Sequence, residues 1–338
     1  MHGFGSMLKD YLKFYKISQT DFAERLGITT KHMNEILNEK TNISEELMLG
    51  ISLITDIDVN LIFYVESKKR IYNYLIDKYK TEDNIKKYLD TFYIKELSQR
   101  NWITLKDENS YVQNAMDLLD YLKIANFDNI DNYLDKKIMY KKKEDADLNK
   151  IYLWIRRCDN LISNKDISNY DSKILNLLLE ELKLLRMEEY NEDKLIKLFN
   201  KYGIYLVIED ALPGSKIRGC TLVKDKNPCI YLTRLYKDKS SLYFTLYHEI
   251  GHIKRDYNMA KNKIIIDNED ASEEEIDKYA LNEMIPAKIW DTLIKNSDKR
   301  EDICLKNNIP LCFLYSRLAY ENIISYKSKL YNDHREKI

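Results

Sequence analysis

Two of the five histidines in this 338-residue chain fall in one pentapeptide, His248-Glu249-Ile250-Gly251-His252. Spaced four apart on a helix, His248 and His252 stand one turn apart on the same side, so both imidazoles can reach one zinc ion. Glu249 follows the first histidine directly. That offset lets its carboxylate point into the site and accept a proton from an attacking water while it stays outside the ligand set. An HExxH string can arise by chance, and the bland alternative is a pair of surface or half-buried helix histidines. Two of five histidines placed in it, on a strand-flanked helical run, argue against coincidence. Gly251 suits close backbone packing beside the metal, at a cost of about 1 kcal/mol in helix propensity.

A catalytic zinc takes three protein ligands and keeps a fourth position for water. Acidic candidates for the third ligand lie in NEDASEEEIDKYALNEMIP. Ser272 can cap a helix running from Glu273 towards Met284, with Ile276, Tyr279, Ala280 and Met284 facing inward. Glu273 and Asp277 are then one turn apart. Glu273 can bind the metal while Asp277 holds a ligand histidine by its far ring nitrogen. Glu274 and Glu275 point elsewhere on the same helix.

The elements that must position these residues begin after Gly203. IYLVIED and CIYLTRL have strand composition and are separated by the turn-rich ALPGSKIRGC; the helical run SSLYFTLYHEIGHI follows. CIYLTRL is expected to offer a sheet edge to an extended substrate. Residues 291–338 are expected to be helical and to pack beside this domain, with LCFLYSRLAYENIISY as their apolar content.

At the other end, Leu8, Tyr11, Leu12 and Tyr15 follow a helical period from Met7. Ser18 can cap a second helix whose inner face is Phe22, Ala23 and Leu26, with Asp21 placed as in a capping box, and Gly27 stops it. Thr29 or Thr30 caps a third helix with Met33, Ile36 and Leu37 inside, and Ser44 caps a fourth. Two short helices joined by a tight turn match a helix-turn-helix. The same segment carries Asp21, Glu24, Glu35, Glu39, Glu45 and Glu46, so a module that holds a protein partner is the alternative. Between the ends, about residues 60–200 read as helices rich in Lys, Asp, Leu, Ile and Tyr, their charge runs as solvated faces, and Trp102 and Trp154 as core or interface anchors.

Two resemblances attach to these strings. ISQTDFAERLGITTKHMNEILNEKTNIS resembles the helix-turn-helix of the XRE/Cro repressor family, in its antitoxin-like branch, over about residues 6–65. That resemblance implies a third helix in the DNA major groove, with Thr30, Lys31, His32, Asn34 and Glu35 towards the bases and Gln19 and Thr20 at the backbone, in a homodimer reading paired half-sites. LPGSKIRGCTLVKDKNPCIYLTR, LYFTLYHEIGHI and EEEIDKYALNEMIP resemble the ImmA/IrrE family of metallopeptidase-like proteins over about residues 200–290. It implies a gluzin-type zinc site with His248, His252 and Glu273 as ligands, Glu249 as catalytic base, and action on regulators, often repressors. Ile276 and Tyr279 stand where that family more usually has Ala and Phe, in core-facing positions.

Composition bounds the rest. Lys and Arg number 54 against 55 Asp and Glu, so the overall charge advertises no polyanion partner. The five cysteines are odd in number, scattered and without a CxxC, which fits free thiols in a reducing compartment. No export signal and no membrane-length apolar run occur, and a cytoplasmic protein without a membrane partner is expected. The expected architecture is α+β: an all-α helix-turn-helix bundle over 1–70, a helical connector or auxiliary domain over 71–199, and a gluzin-like domain over 200–338 with a small sheet and the HExxH helix. Three functions are compatible with that plan. They are a zinc peptidase tied to a DNA-binding module, a transcriptional regulator or antitoxin-like protein whose zinc is structural or sensory, and a scaffold with protein-binding ends.

Overall fold

The computed structural model describes residues 2–105, 107, 110–139, 147–163, 165–266 and 271–338, apart from the side chains of residues 271 and 272. The chain divides into two compact units, residues 1–125 and 126–338. The fold class is α+β, with a largely helical N-terminal half and a C-terminal five-stranded mixed sheet packed against the helix that carries His248 and His252. The stretch 71–199, expected as one connector, is shared between the two units.

The first unit contains α1 (Phe4–Phe14), α2 (Gln19–Leu26), α3 (Thr30–Leu37) and α4 (Glu45–Thr55). The longer α5 (Val59–Tyr79) follows, then α6 (Glu82–Thr91), α7 (Ile94–Gln99) and α8 (Tyr111–Leu122). Ser18, Thr29 and Ser44 each accept a hydrogen bond from a first-turn backbone N–H, so α2, α3 and α4 start where their capping residues stand. Each such cap contributes about 1 kcal/mol. Gly27 ends α2 at φ +69°, a left-handed conformation open to glycine without steric cost. Phe22, Met33, Ile36, Leu37 and Ile51 close one core with Phe4, Leu8 and Leu12 of α1.

The second unit opens with α9 (Ile130–Lys137) and a two-residue strand β1 (Ile138–Met139). Three helices follow: α10 (Leu148–Ile162), α11 (Leu175–Leu185) and α12 (Glu192–Lys201). Next come β2 (Tyr205–Ile208), β3 (Gly219–Lys224) and β4 (Asn227–Leu232). The long α13 (Lys239–Ala260), β5 (Ile264–Ile266) and α14 (Ala271–Met284) carry the site. The chain ends with α15 (Ala287–Lys295), α16 (Arg300–Lys306), α17 (Leu311–Tyr320) and α18 (Lys329–His334).

The strand order is β1-β5-β3-β4-β2. β3 and β4 form an antiparallel hairpin, β2 runs parallel to β4, and β5 runs antiparallel to β3. This corrects one expectation. CIYLTRL lies in and just after β4, which is bonded on one side to β3 and on the other to β2, so it offers no edge to a substrate. The turn-rich segment before it also holds the start of β3, with Gly219 and Cys220 already in the ladder.

Leu242, Leu246 and Ile250 of α13 share a core with Ile230 and Leu232 of β4 and with Leu293, Phe313 and Leu318 of the C-terminal helices. Those terminal helices are part of the same packed body as the sheet. Trp154 is fully buried and its Nε1 donates to the Glu209 carbonyl at 2.8 Å, in keeping with a core role. All five cysteines are buried free thiols.

Candidate metal centre

The site rests on α13, and the burial of that helix explains its chemistry. Asp238 caps it by accepting from Ser241 N at 3.0 Å. Side chains around much of its circumference between Leu242 and Ile253 are buried, so it runs through the unit as a central helix and not along its surface. Polar groups on such a helix must find partners, because burial without them costs several kcal/mol for a charged group. His248, Glu249 and His252 are at most 1% exposed.

Their partners come from three elements. α14 packs against α13 at Gly251, where a Cβ atom would stand 3.0 Å from both Ile276 Cγ2 and Tyr279 Cδ1. The glycine thus admits α14 closely enough for Glu273 to enter the site. Ile276, Ala280 and Met284 are buried and Tyr279 is half-buried, as the inward-facing positions require. α14 begins at Ala271, ahead of the expected start, so Ser272 lies within the first turn and not before it; its side chain is outside the described residues.

Three ligand atoms converge. His248 Nε2 and His252 Nε2 are 3.1 Å apart, and Glu273 Oε2 lies 3.2 Å from each. The far nitrogens face carboxylates: His248 Nδ1 is 2.9 Å from Asp277 Oδ1, and His252 Nδ1 is 2.8 Å from Asp256 Oδ2. An ionised carboxylate only accepts, so each Nδ1 is the donor. In the neutral rings both Nε2 atoms then present lone pairs to the same point, together with a carboxylate oxygen that is buried and makes no hydrogen bond.

Converging acceptors of this kind call for a cation. At metal–nitrogen distances of about 2.0–2.1 Å, tetrahedral corners stand about 3.3 Å apart. The three separations match that edge closely. His248, His252 and Glu273 therefore fit a buried site able to hold a metal ion.

The electrostatics agree. Burial works against charge on His252, but Asp256 and Glu273 outweigh it and lift its pKa to about 9. Burial likewise favours the neutral acid at Glu273, yet the two histidines prevail and hold its pKa down to about 2. Burial also opposes charge on Asp256, and His252 and Arg255 overcome it to lower the pKa. The arrangement is one of carboxylates around imidazoles, a field that favours positive charge at its centre.

Glu249 stands beside this triad without belonging to it. Thr221 of β3 donates its hydroxyl to Glu249 Oε2 at 2.6 Å. Across the same strand, a Cβ on Gly219 would meet Glu249 Oε1 at 2.8 Å, so β3 leaves space there for the carboxylate. The result is a fully buried carboxylate held from the sheet side, adjacent in the chain to a metal-facing histidine.

The four residues read from sequence as catalytic or ligating, Glu249, His248, His252 and Glu273, thus lie in one buried cluster, and Asp277 holds His248 as expected. Asp256, Thr221 and Gly219 were not anticipated. Asp256 was signalled by its position one helical turn after His252. Thr221 and Gly219 carried no such local mark, since only strand pairing and the packing of β3 on α13 bring them there.

The candidates for nucleic-acid contact lie in the other unit. Gln19, Thr20, Thr30, Lys31 and Asn34 are exposed, and His32 and Glu35 are half-exposed, with His32 Nδ1 3.7 Å from Glu35 Oε2. Asn34 Oδ1 accepts from Asn38 Nδ2 at 2.8 Å. No helix of the described residues is long and apolar enough to cross a membrane. No family model, curated protein or solved structure matches this chain.

Proposed function

We propose that the chain is a zinc-dependent endopeptidase of narrow specificity, of the ImmA/IrrE kind that its sequence resembles, acting on a regulatory protein such as a repressor. One observation carries the reading: a buried carboxylate, Glu249, kept beside the His248/His252/Glu273 triad but outside it. A structural zinc site is commonly closed by four protein ligands and has no use for a neighbouring base. Three ligands and a spare carboxylate are the parts list of hydrolysis.

His248, His252 and Glu273 would hold a zinc ion, which when bound would supply Lewis acidity towards water and the scissile carbonyl. Glu249 takes the proton of the attacking water and passes it to the departing amine. Thr221, by donating to one oxygen of Glu249, fixes the carboxylate. Asp277 and Asp256 hold the imidazoles in the tautomer that turns Nε2 to the metal, and they strengthen each ring as a ligand.

α2 and α3 fit the accompanying reading, a helix-turn-helix that binds double-stranded DNA as a homodimer. The residues that must reach a duplex are exposed and extend from helices whose caps and core fix them. DNA binding would then bring the peptidase to its regulator or report the outcome of cleavage.

The test compares protein N-termini in cells expressing the wild type or Glu249→Gln at matched levels and matched zinc content, at rest and after DNA damage. A terminus that arises only with the wild type, and is reproduced by purified components, supports the proposal and names the substrate. Identical termini, together with transcript changes that persist in Glu249→Gln, would leave a regulator whose zinc holds or senses.

A further inference from the structure

A cavity lies beside the metal centre, towards the start of α13 and the end of α14. One turn before His248 stands Phe244, its ring centroid 6.3 Å from that of the histidine. One turn before Glu249 is Thr245, which packs near Gly219 as Glu249 does. One turn after Asp277 is Leu281. These three side chains form the near wall of a cavity of about 570 Å³. Its far wall is supplied by the C-terminal helices, through Ser316 and Tyr320 of α17 and through Tyr326 and Tyr331.

The cavity therefore lies one helical turn from the site along α13 and α14, with Phe244 and Thr245 standing between it and His248 and Glu249. Its size is within the range of pockets that take small ligands or side chains, about 300–1,000 Å³. Its charges are spoken for. Arg317 pairs with Glu321 at 3.0 Å and lies over the Trp290 ring, and Arg335 pairs with Asp238 at 3.7 Å and donates to the Tyr236 carbonyl. Arg218 is engaged as well. A charged guest would give up hydration for groups already paired within the protein, whereas an aromatic or large aliphatic guest meets ring faces and aliphatic side chains.

We infer that this cavity is the specificity pocket of the proposed peptidase, and that it takes a bulky uncharged side chain, aromatic by preference, adjacent to the scissile bond. The inference rests on the metallopeptidase reading of the neighbouring site and adds the class of residue at which cleavage falls. It also gives α17 and the segment around α18 a role that the metal constellation alone does not: they choose the substrate.

A test that needs no turnover uses the full chain loaded with zinc and a series of small hydroxamates. Their chelating head is constant and their side chain is methyl (acetohydroxamate, the reference), isobutyl, benzyl or carboxymethyl. The benzyl compound is expected to bind at least tenfold more tightly than the methyl one, and the carboxymethyl compound no better than methyl. Ser316→Trp, which fills the pocket from α17, should erase the benzyl advantage while acetohydroxamate affinity is kept. Tyr326→Ala, which removes part of the far wall, should reduce the advantage without abolishing it, and serves if the tryptophan variant does not fold. Equal binding of all side chains with acetohydroxamate bound normally would overturn the pocket and leave the metal centre standing. Failure of every hydroxamate, acetohydroxamate included, would overturn the metal reading and the pocket with it.

Discussion

The surroundings of His252 and of Lys31 represent two ways of carrying function. Around His252 the polar groups are buried and converge: one ring nitrogen meets Asp256, and the other is turned to His248 and Glu273. Around Lys31 the neighbouring Thr30 and Asn34 lie on the surface, while Met33, Ile36 and Leu37 on the other face of α3 pack into an apolar core. The first arrangement is completed by an ion and is specified by packing, so a wrong residue at any shell damages it. The second, on the proposed reading, would be completed by a macromolecule, and it is specified by a capped scaffold with replaceable residues on its outside. Substitutions should separate the two regions sharply.

The largest effect is expected at the centre. Glu249→Gln keeps shape and burial but cannot accept a proton, so peptide hydrolysis should fall about a thousandfold while zinc content, read by elemental analysis, stays at the wild-type level. His248→Ala should instead lose the metal itself. If Glu249→Gln also loses zinc, Glu249 belongs to the ligand set, and the division between base and ligands drawn from the geometry is wrong.

Next come the carboxylates behind the imidazoles. Asp256→Asn removes the acceptor that fixes His252, and Asp277→Asn does the same for His248. Each should weaken zinc binding by about 10- to 100-fold, measured by competition with a chromophoric chelator. Stripping zinc from the wild type should lower its melting temperature, because a ligand that binds only the folded state stabilises it by mass action. That shift should shrink in both variants. An Asp256→Asn protein with wild-type zinc affinity would show that its 2.8 Å contact is a metal-free arrangement with no role in ligation.

A smaller and more selective effect is expected from Gly219→Ala. The added methyl group meets Glu249 Oε1, with Leu232 and Thr245 closing the other sides. The carboxylate must give way, and it can do so only by changing its approach to the attacking water. Hydrolysis should drop about tenfold, by analogy with the sensitivity of catalysis to sub-ångström misplacement, with zinc affinity unchanged. A parallel loss of zinc would mean that β3 positions the whole triad and not Glu249 alone.

What sequence made visible follows from how local each contact is. His248, Glu249 and His252 sit on a single turn, and Glu273 and Asp277 are spaced one turn apart on their own helix, so periodicity alone places each set on one face. The caps Ser18 and Ser44 were legible for the same reason, while the third helix's cap was narrowed only to Thr29 or Thr30. Asp256 obeys the same four-residue rule from His252, and that spacing was its one local signal, in a string, KRDYN, where it otherwise looks like any solvated charge. Thr221 and Gly219 depend on which face of β3 meets α13, and strand composition does not orient a strand. The failure at CIYLTRL is non-local too. The segment is a strand, but whether a strand is edge or centre depends on β2 joining its far side in parallel, across a connection that passes through β3. Pattern reports elements; sheet order comes from long-range packing.

The smallest structural effect, and the sharpest contrast with His252, is expected at Lys31. Its side chain is exposed on α3, so Lys31→Ala should leave the unfolding free energy within about 0.5 kcal/mol of wild type. If α3 faces a duplex, the same change should weaken DNA binding several-fold and reduce the slope of log affinity against log salt by about one, the signature of a lost phosphate contact. Asn34→Ala, aimed at a base edge, should cost about 1–3 kcal/mol on the preferred sequence and much less on others. Titrating both variants against operator-length DNA at several salt concentrations separates these outcomes. Wild-type affinity and slope in both would take the duplex away from α3. The surface would then remain a well-capped helix pair for another partner, and the chemistry of the buried centre would be untouched by the loss.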